Sequence, residues 1–227
     1  TGFALQSGEQ LNALIFANNL FVGGTSNGRI ITSPDGLTWT VRTSNFPAGQ
    51  IMAIAYGGGK FMAVGGANSV IISTNGATWT AKANSLTSTT LSAVIYGAAG
   101  LWIIGGTNGF VATSLNDGTS WTVRVSNAGA SQQIFDFAAG AGLIVGVTAY
   151  GSSGGIITSA NGTTWAAQSV PSSGIPYRVR FGGGLFVLGG KTAANHGYIA
   201  TSTTGLSWST QTVPAEIDLI YGLAYSG

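Results

Sequence analysis

The sequence predicts an all-β fold, a five-bladed β-propeller of four-stranded antiparallel blades, and three observations carry that reading. Five tryptophans fall at positions 39, 79, 121, 165 and 208, at intervals of 40, 42, 44 and 43 residues. Each closes a copy of one motif: SPDGLTW, STNGATW, SLNDGTSW (Ser114 to Trp121, one residue longer), SANGTTW and STTGLSW. The chain between the motifs consists of short runs rich in Ile, Val, Phe, Tyr and Thr, bounded by Gly and Asn, which is strand composition. A repeat of this length holds four short strands, and a four-stranded meander repeated about an axis is a propeller blade.

Each strand repeats in turn. A first strand, A, reads LNALIFA, IMAIAYG, LSAVIYG, IFDFA and YRVRFG, with a sixth copy, IYGLAYS, at Ile220 to Ser226. Strand B closes on glycines in LFVGG, FMAVGG, LWIIGG and LFVLGG, with LIVGV the weakest copy. Strand C reads RIITS, VIIST, FVATS, IITS and YIATS, and strand D starts at the tryptophan. The A-to-B links are tight, as at Gly57-Gly58-Gly59 and Gly182-Gly183-Gly184. The C-to-D links hold Asp-Gly or Asn-Gly in four copies, which predicts two-residue turns with positive φ. One domain, 1–227, is expected, with blades at roughly 11–50, 51–90, 91–131, 132–175 and 176–215 and a closing strand at 216–227. Gly2 to Gln6 resembles a worn D strand. Either the termini pair to close five blades, the preferred arrangement, or the chain is part of a six-bladed ring.

Composition narrows the functional classes. Apolar residues make up 44% and aromatics 10%, so a large core is available, whereas charged residues are only 6% against about 25% in an average soluble domain. Eight basic and six acidic residues, spread thinly, give a net charge of +2 and no basic patch, which speaks against nucleic-acid binding. The absence of cysteine removes disulfides and thiolate metal sites. No signal peptide is read at the start, the missing initiator Met points to a piece processed from a longer polypeptide, and the apolar runs are too short to insert as a membrane helix. Sparse charge under a Ser/Thr/Asn/Gln/Gly-rich surface is common in secreted adhesive and virion surface proteins.

The turn motif itself resembles Ser/Thr-x-Asp-x-Gly-x-x-Trp, the Asp-box of sialidase-like propellers, best in Ser114-Leu-Asn-Asp-Gly-Thr-Ser-Trp121, with Asn116 where that family has Asp. The full repeat is also similar to blades of photosystem-assembly-type propellers and most similar to propeller repeats of bacteriophage tail and fibre proteins. The resemblance implies fold rather than activity, since Asp-boxes occur in enzymes and binders alike. A binding role would make Asp35, Asn75, Asp117 and Asn161 ligand or metal contacts. The position drifts from Asp to Asn to Thr across the copies, and a metal site needs converging carboxylates. A turn needs only a short polar side chain bonded to its own backbone. Trp39, Trp79, Trp121, Trp165 and Trp208 supply apolar faces with one N–H each, suited to gaps between blades. The motif therefore reads as structural.

Function is expected on the opposite face, in loops that vary: 43–50, 83–90, 126–133 and 168–176 between blades, and 25–28, 107–109, 148–155 and 191–197 within them. Candidate ligand contacts are Phe46, Tyr150 and Tyr177, whose rings suit sugar faces, with Lys191, Asn195 and His196. His196 is the only histidine; with no second His or Cys it reads as an exposed loop residue, and no metal site is expected. The carboxylates Glu9, Asp35, Asp117, Asp136, Glu216 and Asp218 are dispersed, whereas a glycosidase needs two across one cleft. No catalytic residues and no cofactor are assigned. Asp136 precedes Phe137 as Arg180 precedes Phe181, with Arg178 two residues earlier, so Asp136 is expected to pair with Arg180 or Arg178 along the central channel. The expected protein is a non-enzymatic virion-surface or tail-fibre type propeller, extracellular, binding a host glycan or docking a neighbouring subunit. The alternatives are a sialidase-like glycoside hydrolase and a scaffold for protein partners.

Overall fold

The computed structural model describes residues 5–84, 86, 90–97 and 100–225. Its strands form five four-stranded sheets, each joined in chain order. Blade one holds β1 (Leu11–Ala17), β2 (Leu20–Thr25), β3 (Ile30–Ser33) and β4 (Thr40–Arg42). Blade two holds β5 (Ile51–Gly57), β6 (Lys60–Gly65), β7 (Val70–Ser73) and β8 (Thr80–Ala81). Blade three holds β9 (Leu91–Tyr96), β10 (Trp102–Gly106), β11 (Val111–Ser114) and β12 (Thr122–Arg124). Blade four holds β13 (Gln133–Gly140), β14 (Leu143–Tyr150), β15 (Ser153–Ser159) and β16 (Ala166–Gln168). Blade five holds β17 (Gly174–Gly182), β18 (Leu185–Thr192), β19 (Gly197–Ser202) and β20 (Ser209–Gln211). The chain divides into two compact units, the first running to Ile104 and including Ser114–Thr122, the second made of Gly105–Thr113 and the chain from Val123 on.

One packing rule recurs in both units and explains the glycines. In the first unit a Cβ on Gly57 would lie 2.1 Å from the Tyr96 ring, and one on Gly24 would lie 2.4 Å from Ile51. In the second, Gly140 faces Phe181, Gly105 faces Ile134 and Phe137, Gly182 faces Tyr225, and Gly189 faces Ile220 and Leu223. At these places the inner strand of the following repeat thus seats an aromatic or aliphatic side chain where its predecessor has no side chain. Burial follows from that contact. Val22, Ile30, Ile51, Phe61, Ile71 and Trp79 form the core of blades one and two. Val145, Val147, Ile156, Val179, Phe186 and Leu188 form that of blades four and five.

Three expectations change. The C-to-D links are not two-residue turns: β3 ends at Ser33 and β4 begins at Thr40, and of the Asp35-Gly36 pair only Gly36 has positive φ, whereas in the longer third link Asp117 and Gly118 both do. Side-chain hydrogen bonds, described below, fold the longer link instead. Segment 148–155 is not an open loop, because β14 and β15 pair as far as Tyr150 and Ser153, with Gly151 at φ 58 in the turn. The closing strand expected at 216–227 is not formed among the described residues, which hold no strand in 212–225; the worn D strand read at 2–6 lies mostly outside the described residues, as do 226 and 227. A strand exists only where a neighbour supplies its ladder, and among the described residues of 220–225 only the Ile220 N–H makes a backbone hydrogen bond, to the Gly190 carbonyl.

Candidate functional site

The turn motif is built from its own side chains. Asp35 Oδ1 accepts from Ser33 Oγ at 2.9 Å and from the Leu37 and Thr38 N–H groups at 2.8 Å each. Those donors hold its carboxyl down to about 2, the backbone bonds contributing most. Asn75 and Asn161 make the same contacts without charge, and Thr204 Oγ1 keeps one of them, from the Leu206 N–H. Trp39, Trp79, Trp165 and Trp208 donate their indole N–H to the glycine carbonyl three residues back. The longer third turn differs. Asn116 accepts from Ser114 and the Ser120 N–H. The extra residue frees Asp117 to take Lys60 at 2.8 Å and the Trp102 N–H at 3.2 Å, and the buried Trp121 Nε1 has no hydrogen-bond partner among the described residues. Lys60 holds the Asp117 carboxyl below its ordinary value.

Two of the variable links between blades are occupied in the same structural way. Ser44 Oγ donates to the Gly28 carbonyl and Asn45 to the Trp79 carbonyl; Ser126 and Asn127 repeat this toward Gly109 and Trp165. Phe46 is half-buried against the core of blades one and two, a plug rather than a displayed ring. Part of the link at 83–90 lies outside the described residues.

A second feature sits in the inner strands. β1, β5, β13 and β17 each carry a β-bulge, at Leu11/Ala13, Ile51/Ala53, Ile134/Asp136 and Pro176/Arg178. The bulged residue leaves the ladder and its side chain is re-aimed. Those residues are Asn12, Met52, Phe135 and Tyr177, and Tyr221 holds the same place beyond Ile220. In the first unit the pair is an amide and a thioether, Asn12 Nδ2 lying 3.0 Å from the Ile51 carbonyl and 4.0 Å from Met52 Sδ. In the second unit it is a row of rings. Phe135 and Tyr177 meet edge to face at 5.2 Å, and Tyr177 and Tyr221 at 5.7 Å. Tyr221 is 64% exposed. Burial, with Tyr221 beside it, pushes the Tyr177 hydroxyl above its ordinary range.

A charged pair adjoins the row. Asp136 Oδ2 lies 2.5 Å from Arg180 Nη1 and accepts from the Val179 N–H at 3.2 Å, while Oδ1 accepts from the Phe137 N–H. By ladder register Asp136, opposite Val147, is level with Arg178, opposite Gly189. Arg180 is two residues further on, so the ladder register replaces the alignment by neighbouring phenylalanines. Arg178 Nη1 instead donates to the Tyr177 carbonyl. Burial pushes the Asp136 carboxyl up, against the pull of Arg180 and then Arg178.

The remaining candidates lie on the hairpin ends of the second unit. Tyr150 is exposed at the tip of β14–β15. Lys191 Nζ donates to Asn195 Oδ1 at 2.7 Å, and the His196 N–H to Thr192 Oγ1. His196 is exposed. Among the described residues no three His, Cys, Asp or Glu side chains converge, and no helix is long and apolar enough to cross a membrane. Sequence reasoning found Tyr177 but missed Phe135 and Tyr221. The available signal was their shared place, one residue after the first apolar position of strand A.

No family profile and no curated protein matches the chain. Solved structures do. A structure of YCF48 bound to D1 peptide is 16% identical, with a TM-score of 0.64 over 88% of this chain and 67% of that one. Virginiamycin B lyase from Staphylococcus aureus is 12% identical, with a TM-score of 0.73 over 92% and 74%. A chain of a nidogen/laminin complex is 12% identical, with a TM-score of 0.64 over 86% and 76%. At these identities the similarity shows the fold: the chain is a five-bladed β-propeller of four-stranded antiparallel blades. These neighbours include a lyase and partners in protein complexes, so the fold is compatible with either role.

Proposed function

We propose that the chain is a non-enzymatic, extracellular binding propeller of the virion-surface or tail-fibre type, recognising a neutral glycan through its second unit. The observation that carries the reading is the bulge-aimed row Phe135–Tyr177–Tyr221, graded from half-buried to exposed. Such a row offers apolar faces on which pyranose C–H faces stack, with two phenolic hydroxyls to hydrogen-bond sugar oxygens. Four of the six carboxylates favour binding over hydrolysis: Glu9, Asp117 and Asp136 are held by Arg29, Lys60 and Arg180, and Asp35 by its own turn. Tyr150, Lys191, Asn195 and His196 supply polar groups on the same unit.

A glycan array probed with the labelled protein tests this. The expected outcome is binding to neutral glycans that Tyr221→Ala and Tyr177→Ala each weaken by roughly three- to tenfold, the worth of one stacking contact. Binding unchanged in both variants, or no glycan bound, would overturn it. The likeness to YCF48, whose structure carries D1 peptide, favours a second reading, docking of a protein segment. A stoichiometric partner captured by the protein and not released by free sugars would support that reading instead.

A further inference from the structure

Three departures from the repeat meet at one place in the first unit. The residue that opens strand B is Leu20, Leu101, Leu143 and Leu185 in four blades but Lys60 in blade two. Leu20 and Leu143 lie where a Cβ on Gly76 or Gly205, in the turn of the next blade, would meet them. Lys60 reaches toward the next turn in the same way, and there it finds a carboxylate. In the shorter turns Asp35, Asn75, Asn161 and Thr204 accept from their own backbone. In the third turn Asn116 takes that part, and the inserted residue is Asp117, at φ 57. The third departure is Trp102, where the other blades have Phe21, Phe61, Ile144 and Phe186. Asp117 Oδ2 takes Lys60 Nζ at 2.8 Å, and Oδ1 takes the N–H of the fully buried Trp102 at 3.2 Å.

Asp117 walls a cavity of about 180 Å³ that Lys60, Thr74, Thr78, Thr80 and Lys82 also line. Two of the chain's three lysines are gathered here, and they are not equivalent. Lys60 is matched by Asp117. Among the described residues Lys82 Nζ reaches only Thr119 Oγ1, at 3.5 Å, a contact too long to commit an ammonium. Lys60, and at longer range Lys82, hold the Asp117 carboxyl below its ordinary value. The cavity therefore carries one carboxylate and two ammonium groups, a surplus of one positive charge.

That balance suits an occupant with a single negative charge. A dianion such as sulfate would be repelled by Asp117 twice as strongly while gaining only one uncommitted ammonium. A bare carboxylate would leave most of the volume and the threonine hydroxyls unused. Asp117 also has acceptor capacity to spare, since a carboxylate offers about four acceptor positions and Lys60 and Trp102 occupy two. We propose that this cavity is a subsite for an acidic sugar, a pyranose bearing one carboxylate. The sugar carboxylate sits on Lys82, one or two of its hydroxyls donate to Asp117, and Thr74 and Thr80 exchange hydrogen bonds with the rest. The subsite belongs to the first unit and stands or falls separately from the aromatic row of the second.

The test is an NMR titration of the ¹⁵N-labelled protein with methyl β-glucuronide, with methyl β-glucoside and sodium sulfate as comparisons. Saturable shifts are expected at the Thr80 and Asp117 amides, with the glucoside bound roughly tenfold more weakly, the usual effect of one hydrogen bond between charged groups. Lys82→Gln should weaken glucuronide binding by a similar factor, and Lys82→Arg should restore most of it. No saturable shift at these amides, equal affinity for glucoside and glucuronide, or unaltered affinity in Lys82→Gln would overturn the proposal. So would displacement of the glucuronide by an equal concentration of sulfate, which would reduce the cavity to a general anion site.

Discussion

Blades one and two, and blades four and five, are built on one repeat yet carry different cargo. In the first pair the bulged inner positions hold Asn12 and Met52, and the B-to-C links follow strands that pair only to Gly24–Ile30 and Val64–Val70. In the second pair the same positions hold Phe135 and Tyr177, and the hairpins extend to Tyr150–Ser153 and Lys191–Gly197. The acids differ as well. Glu9 sits in the first unit under Arg29, whose guanidinium holds its carboxyl down to about 2. Asp136 in the second is pushed up by burial. The difference teaches that the glycine seats and the Ser–Asx turns are common property of the repeat, whereas the bulge residue and hairpin length are free to vary without disturbing the core.

The largest effects are expected at the glycine seats. Gly57→Val and Gly140→Val drive a branched side chain into Tyr96 and Phe181, and each is expected to cost about 3 kcal/mol in chemical denaturation. Gly182→Val meets only Tyr225, on a segment with no ladder, and should stay within about 0.5 kcal/mol. Equal losses at all three would show that the terminal segment is held as firmly as a blade.

The turns come next. Asn161→Ala removes an acceptor used by two backbone N–H groups and should cost about 1 kcal/mol, against a few tenths for Thr204→Ala, which removes one exposed bond. A reversed order in thermal melts would deny the side chains their part in folding the link.

A pH series separates the acids. Glu9 and Asp35 have depressed folded values, so their stabilisation is present above their ordinary 4.5 and 3.8 and is lost as pH falls toward about 2. Asp136 has a raised value, so its contribution is present below 3.8 and is lost as pH rises through the folded value. Glu9→Gln should flatten the acid limb of the melting-temperature curve, whereas Asp136→Asn should steepen it. A small effect is expected for Asp136→Asn near neutral pH, within about 1 kcal/mol. The cost of burying its charge offsets much of the pairing, and Arg180, 44% exposed, can turn to water.

Much of the fold was legible because repetition is itself a signal. Five tryptophans at near-constant spacing count the blades, and the Gly-Gly endings of strand B mark where a neighbour must approach closely. The drift from Asp35 to Asn75 to Thr204 shows that an acceptor is needed and a charge is not. The candidate site was less legible. Tyr177 stood out as an aromatic near a variable loop, but Phe135 read as one more apolar residue of a strand, and Tyr221 as part of a closing strand. Phe46 was misleading for the opposite reason, since a ring in a polar loop looks the same in sequence whether it is displayed or wedged into a core.

What the amino-acid sequence determined by itself is the repeat: four strands per tryptophan, antiparallel links, and a turn closed by its own side chains. These depend on interactions within a few residues or on a period that recurs. Tertiary structure alone decided the bulge register, which puts Phe135, Tyr177 and Tyr221 in one row and lets Arg180 reach Asp136. It also decided that Ile220 and Leu223 pack over Gly189 and Tyr225 over Gly182, as the inner strands pack, although no strand forms there among the described residues. Both outcomes depend on which neighbour supplies or withholds a hydrogen-bonding ladder, a long-range condition that no local pattern encodes.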